Sequence, residues 1–379
     1  MSTRAIGWRR LGVAAALLMC AVAAVVALFD AVALVFDGTH GATDFRPYFA
    51  AAEDVLRGES PYPAPNVAAV TDGAVYIYPP LTALVVVPLT ALPLSVAEGL
   101  VVIAGVLAVV ATLLALDVRD WRCYVVAFLW VPVLNAIGLG NLTIFLVLGA
   151  ALTWRYRDRS WGAATLGTTL AAKLFLWPLV VWMVATRRVA YGALAIAVAL
   201  CLLVVSWAAI GFAGLLDYQD ILRIAHSLWA DDAYSVYAIA LDAGVPDGLA
   251  GFIGLALAAS LLGASVVSGR RGEDRVAFVL AIAAALAFSP IVWRHYFALL
   301  LVPVAIARPR LGVVWFVPVL MWPVSEGIGN GTTFQTTATL VIASLTIGLA
   351  LSALARDDRD LVVAIDRSRS GLGEEVRAV

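Results

Sequence analysis

Four stretches of the chain gather residue types able to move a proton or hold a phosphate. Thr43-Asp44-Phe45-Arg46-Pro47-Tyr48-Phe49 places one carboxylate between an apolar run and a group of aromatics. A carboxylate held at a lipid–water boundary, with rings limiting water access, is suited to accept a proton from a hydroxyl. It also has the position of a helix N-cap, and composition alone leaves both readings open. Lys173 is the single lysine among 25 basic residues, and it sits between two apolar arms, 161–172 and 174–186, each too short to cross a bilayer fully. An amine there reaches a phosphate at the membrane surface, or snorkels without a ligand. Ser289-Pro290-Ile291-Val292-Trp293-Arg294-His295-Tyr296 brings together an arginine, an imidazole and two aromatics. That set can bind a phosphate and cover an apolar chain or a sugar face, or it can be an interfacial anchor. The segment from Asp217 to Asp247 carries Arg223, Trp229, Asp231, Asp232, Tyr234 and Tyr237, and reads as a substrate-facing loop. Asp231-Asp232 lacks a second clustered acid pair, so no metal site is expected. His40 and His226 are weaker candidates, and Asp30, inside the first apolar run, reads as a carboxylate bonded to a neighbouring helix end.

The elements that must position these groups are membrane helices. Hydrophobic residues make up 63% of the sequence and charged ones 13%, with a mean hydropathy of +0.96. Such values exclude a soluble nucleotide-binding fold, a disulfide scaffold and a nucleic-acid binder. Cys20, Cys123 and Cys201 lie in or beside apolar runs and read as small buried hydrophobes. No Walker lysine, glycine-rich phosphate cradle or zinc-binding helix motif is present. Apolar segments run over 11–36, 96–116, 124–138, 142–154, 161–172, 174–186, 190–212, 245–267, 276–291, 296–307, 311–323 and 338–355. The first is too long for a signal-peptide core and reads as an uncleaved span. Pro80–Leu92 is apolar but broken by Pro88 and closed by Pro93, and the basic residues decide its fate. If it does not cross, 20 of the 25 basic residues fall on one side, leaving Arg46, Arg57, Arg223, Arg294 and Lys173 opposite. By the positive-inside rule the majority side is the cytoplasm. Both termini are then cytoplasmic, and the chemistry-bearing residues collect on the outer face.

The expected architecture is therefore an all-α polytopic membrane protein of about 11–12 transmembrane helices. One domain spans residues 1–355, with a first outer loop with interfacial helices over 37–95, a second outer loop over 213–247 and a flexible cytoplasmic tail over 356–379.

The residues in these loops carry a resemblance. Asp44-Phe45-Arg46-Pro47-Tyr48, then Leu56-Arg57-Gly58-Glu59-Ser60-Pro61-Tyr62 and Tyr76-Ile77-Tyr78-Pro79-Pro80-Leu81, resemble the start of the polyprenol-phosphate-sugar-dependent glycosyltransferases of family 87. The likeness continues through Gly138-Leu139-Gly140-Asn141, the segment around Lys173, Tyr234–Tyr237 and Ser289–His295. Leu139 stands where the family often has glutamine, and Tyr296 where it often has a second histidine.

The resemblance implies a GT-C-like bundle in the cytoplasmic membrane and an inverting sugar transfer on its outer face. By that likeness Asp44 is the catalytic base, while Lys173, Arg294 and His295 bind the donor phosphate. Arg46, Tyr48, Tyr78, Asn141, Tyr237 and Trp293 are expected along the substrates. The donor is a polyprenyl-phosphate sugar, with mannose ahead of arabinofuranose, and the acceptor a lipid-anchored glycan, glycolipid or lipoglycan. Besides these the only partners are membrane lipids, and no cofactor, metal or nucleic acid is called for. The rival reading, a secondary transporter or lipid flippase, would want internal repeats and ionisable groups near the midplane. The chain shows no clear repeat.

Overall fold

A computed structural model of the chain describes residues 41–71, 75–324 and 331–375, together with Val22; of 357–375 it describes the backbone alone. The expected first span over 11–36, with Asp30 and Cys20, and His40 lie outside the described residues. The protein is an all-helical membrane protein. Among the described residues, four helices are long and apolar enough to cross a bilayer: α4 (Leu94–Ala115), α10 (Val189–Ala209), α13 (Asp247–Arg270) and the apolar part of α17 (Thr333–Glu375).

The other apolar segments fold as shorter or broken helices. The segment expected over 124–138 divides into α5 (Trp121–Ala127) and α6 (Val131–Gly138), bent by 69° with Pro132 in the first turn after the break. Proline lacks the N–H that a helix interior needs and is tolerated in a first turn, so Pro132 sits where a new helix starts, after the extended Trp130. Between α4 and the later spans run α7 (Thr143–Arg155), α8 (Ser160–Ala172), α9 (Pro178–Ala185), α14 (Asp274–Phe288), α15 (Leu301–Ala307) and the single-turn α16 (Val313–Phe316). A 3₁₀ turn over Arg294–Leu300 leads into α15. Pro80–Leu92 forms α3 (Pro80–Val86) and a 3₁₀ continuation to Ala91. Twelve residues rise about 18 Å, well short of the ~30 Å of hydrocarbon. α17 continues as helix into the polar segment 356–375.

Hydrogen bonds tie one set of loops together at one end of the bundle. Asp274 accepts Arg157 Nε at 3.1 Å, both terminal nitrogens of Arg188 at 2.9 and 2.8 Å, and the indole N–H of buried Trp182 at 2.9 Å. Asp120 accepts Arg122 at 2.8 and 2.7 Å and the Leu311 N–H at 3.0 Å, and the Arg122 guanidinium holds its carboxyl well below the usual range. Arg155 pairs with Asp117 at the same end. Twelve arginines of the loops lie there, the grouping that the basic residues foretell.

At the opposite end lie α1 (Phe45–Leu56), α2 (Val67–Thr71), α3, α11 (Leu215–Trp229) and α12 (Val236–Asp242). α1 is amphipathic: Phe45, Tyr48, Phe49 and Ala52 recur at helical spacing and are buried, while Glu53, Asp54 and Arg57 stay toward water. The core is continuous from this cap into the bundle, from Phe45 and Tyr48 through Trp130 and Trp182 to Phe278.

Candidate active site

Asp44 stands at the N-cap of α1, and its side chain makes no hydrogen bond to the helix. The capping reading thus finds no support, and the carboxylate turns instead to Asn141, whose amide donates to Oδ2 at 2.6 Å. Asn141 is fixed in turn, because its Oδ1 accepts the Thr143 N–H at 2.7 Å at the start of α7. The backbone reinforces this register: Ala42 N–H donates to Gly138 O at 2.8 Å and Asp44 N–H to Leu139 O at 3.1 Å. The close fit depends on Gly140, which has φ +61°; a Cβ there would lie 2.9 Å from the Phe45 Cβ. Burial raises the Asp44 pKa above the ordinary carboxylate value, against the Asn141 hydrogen bond and the Lys173 charge, which lower it.

Lys173 occupies the break between α8 and the 3₁₀ turn Leu174–Leu176, with extended backbone. Its ammonium lies over two tyrosine rings, 4.8 Å from Tyr78 and 4.2 Å from Tyr296, and donates to the Tyr296 hydroxyl. Tyr78 packs edge-on against Tyr48 at 4.9 Å. Asp44, Asn141, Tyr48, Tyr78, Lys173 and Tyr296 therefore form one buried cluster, assembled from α1, the Tyr76–Pro80 strap, the α6–α7 turn, the α8–α9 break and the turn before α15. His295 packs tilted against Tyr296, with ring centroids 4.9 Å apart, is 5% exposed, and its Nε2 has no hydrogen-bond partner.

The strap that brings Tyr78 here is held by its neighbours. Tyr76 donates its hydroxyl proton to Pro79 O at 2.5 Å and accepts the Ala83 N–H at 3.0 Å, closing the first turn of α3 after Pro80. Tyr62 donates to Tyr78 O at 2.8 Å and stacks on Trp207 at 5.4 Å.

The remaining expected residues make contacts of their own. Arg294 donates to the Tyr234 hydroxyl at 3.1 Å, and Trp293 packs edge-on against Trp229 at 6.4 Å. Arg46 directs its Nε to Glu98 on α4, at 2.8 Å. Tyr237 lies outside that cluster and donates to Asp247 at 2.6 Å. It lines, with Tyr234 and Ser289, the rim of a cavity of about 660 Å³ between α13, α14 and α17. The walls are apolar, among them Leu255, Leu286 and Ile347, and Gly251 and Gly348 leave it open. Among the described residues, no three His, Cys, Asp or Glu side chains gather to hold a metal ion, Asp231 and Asp232 included.

Two contacts escape the sequence reading. Tyr296, noted there as one of two aromatics beside Arg294 and His295 and as a departure from a family pattern, is the hydroxyl that meets Lys173. Glu98 is 2% exposed, and its signal was available: it is the lone charge in an otherwise apolar helix.

Among known protein families, the model of Glycosyltransferase family 87 fits residues 76–293. No curated protein and no solved structure matches the chain.

Proposed function

Since the chain belongs to glycosyltransferase family 87, and is thereby a glycosyltransferase, we propose that it moves a sugar from a polyprenyl-phosphate donor to a hydroxyl of a lipid-anchored glycan. Mannose stands ahead of arabinofuranose as the sugar. The reaction runs on the outer face of the cytoplasmic membrane, with both termini inside.

The observation that carries this reading is the shared cluster, where Asp44, Lys173 and the partnerless Nε2 of His295 lie among Tyr48, Tyr78 and Tyr296. In the proposed step the acceptor hydroxyl gives its proton to the Asp44 carboxylate and its oxygen attacks the anomeric carbon from the side opposite the phosphate. The bond from that carbon to the phosphate oxygen breaks, its electron pair leaves with the phosphate monoester, and the configuration inverts. The anomeric carbon arrives activated on a phosphate, so one base suffices and no covalent enzyme intermediate is needed. Lys173, Arg294 and His295 stabilise the charge that grows on the leaving phosphate. Arg46, Tyr48, Tyr78, Asn141, Tyr237 and Trp293 border the substrates. The apolar cavity rimmed by Tyr234, Tyr237 and Ser289 suits the polyprenyl chain, and Arg294, bonded to Tyr234, joins it to the phosphate site.

The test is transfer by the purified protein in bilayers from synthetic polyprenyl-phosphate mannose and arabinofuranose to a glycolipid acceptor. The expected result is glycosylated acceptor and free polyprenyl phosphate in equal amounts, with inverted anomeric configuration. Movement of intact donor across the bilayer without transfer would favour a flippase and overturn the proposal.

A further inference from the structure

Glu98 lies in the second turn of α4, is 2% exposed, and is the one charged residue among the 22 of that helix. A carboxylate buried in this way is costly to keep without a partner. Its partner is Arg46, whose Nε donates to Oε1 at 2.8 Å. Arg46 in turn sits two residues after Asp44, in the first turn of α1, where the helix dipole disfavours a cation. Neither residue is where it would be for the sake of its own helix, so the pair is explained by what it joins.

It joins the helix that begins at Asp44 to a membrane-spanning helix. On the other side of Asp44, the Ala42 and Asp44 N–H groups are fixed to the α6–α7 turn. The carboxylate therefore stands between two anchors, one of backbone hydrogen bonds and one of an ion pair. A short helix tied at one point can rotate about it; tied on both sides of its first turn, it cannot.

We propose that Glu98 is a positioning residue, which through Arg46 sets the orientation of the α1 first turn and hence of the Asp44 carboxylate. This rests on the reading of Asp44 as the base, and it assigns Arg46 to positioning in place of direct substrate contact.

The test is steady-state transfer with Glu98→Leu, Glu98→Gln and the exchange Arg46→Glu with Glu98→Arg, each in membranes, with melting followed alongside. A misaimed base costs rate at the chemical step, so kcat of Glu98→Leu falls about 10- to 100-fold, with KM for donor and acceptor unchanged. Glu98→Gln, which keeps an oxygen to receive Arg46, retains more of the rate than Glu98→Leu, and the exchange recovers part of the loss. Wild-type kcat in folded Glu98→Leu overturns the inference. A rise in acceptor KM at unchanged kcat also overturns it, by making Arg46 a substrate contact. Should Glu98→Leu fail to fold, the exchange variant decides, since recovery there requires the pair itself. Asp44→Asn, run beside them, separates the two claims. If it is fully active the base assignment fails and takes this inference with it; if it is inactive while folded Glu98→Leu is normal, only the positioning role fails.

Discussion

At the scale of single residues, the proposed reaction turns on one carboxylate that must be charged to act as the base. Burial raises the Asp44 pKa and the Asn141 amide lowers it, so the two oppose each other. Replacing Asn141 by leucine removes the lowering contribution and leaves burial in place. The base then stays protonated to higher pH, and the acid limb of kcat/KM is expected to move upward in pH. A limb that stays put, or moves down, assigns it to another group. Lys173 was legible because it interrupts apolar sequence, where a polar side chain needs a reason, Asp44 because it stands between an apolar run and a group of aromatics, and Asn141 only through the family resemblance. Their mutual contacts were not legible: Asn141 is 97 positions from Asp44, and Tyr296 123 from Lys173. Glu98 meets the same rule as Lys173 and was passed over because one acid inside a long apolar run scarcely lowers its hydropathy.

At the scale of elements, boundaries follow from hydrophobicity, while breaks follow from local geometry. The segments expected over 96–116, 142–154, 161–172 and 190–212 match α4, α7, α8 and α10 closely. The 69° bend between α5 and α6 did not show, because residues 124–138 are apolar on both sides of it. What the bend accomplishes is to deliver the Gly138–Asn141 turn against Asp44. Gly140 is the tightest point there, with a positive φ and no room for a methyl group beside Phe45. Gly140→Ala is expected to destabilise the fold by ~1–3 kcal/mol, since strain and contact act together. A fall in melting temperature, accompanied by a fall in kcat, checks this. Unchanged melting would mean that the turn and α1 separate more readily than their packing implies.

At the scale of the whole molecule, the two ends do different work. The arginine-rich end is a network around Asp274 that shares no residue with the Asp44–Lys173 cluster, and it ties α8, α9, α10 and α14 together. Asp274→Ala leaves the Trp182 indole N–H buried without its acceptor and two arginines short of a carboxylate. The expected cost is about 1–3 kcal/mol, read as a lower melting temperature with kcat per folded molecule preserved. Loss of kcat without loss of stability would place that network in the reaction path. At the opposite end, short helices and turns surround Asp44 and Lys173, and an apolar cavity opens between long helices nearby. The division between the ends was legible from where the arginines fall. The convergence was not, because it joins five segments spread over some 250 residues. The central claim is that this convergence makes Asp44 the base, and single-turnover transfer by Asp44→Asn tests it most directly. With donor loaded on the enzyme, the rate is expected to fall about 10²- to 10⁴-fold while donor binding is retained; transfer at the wild-type rate would contradict it.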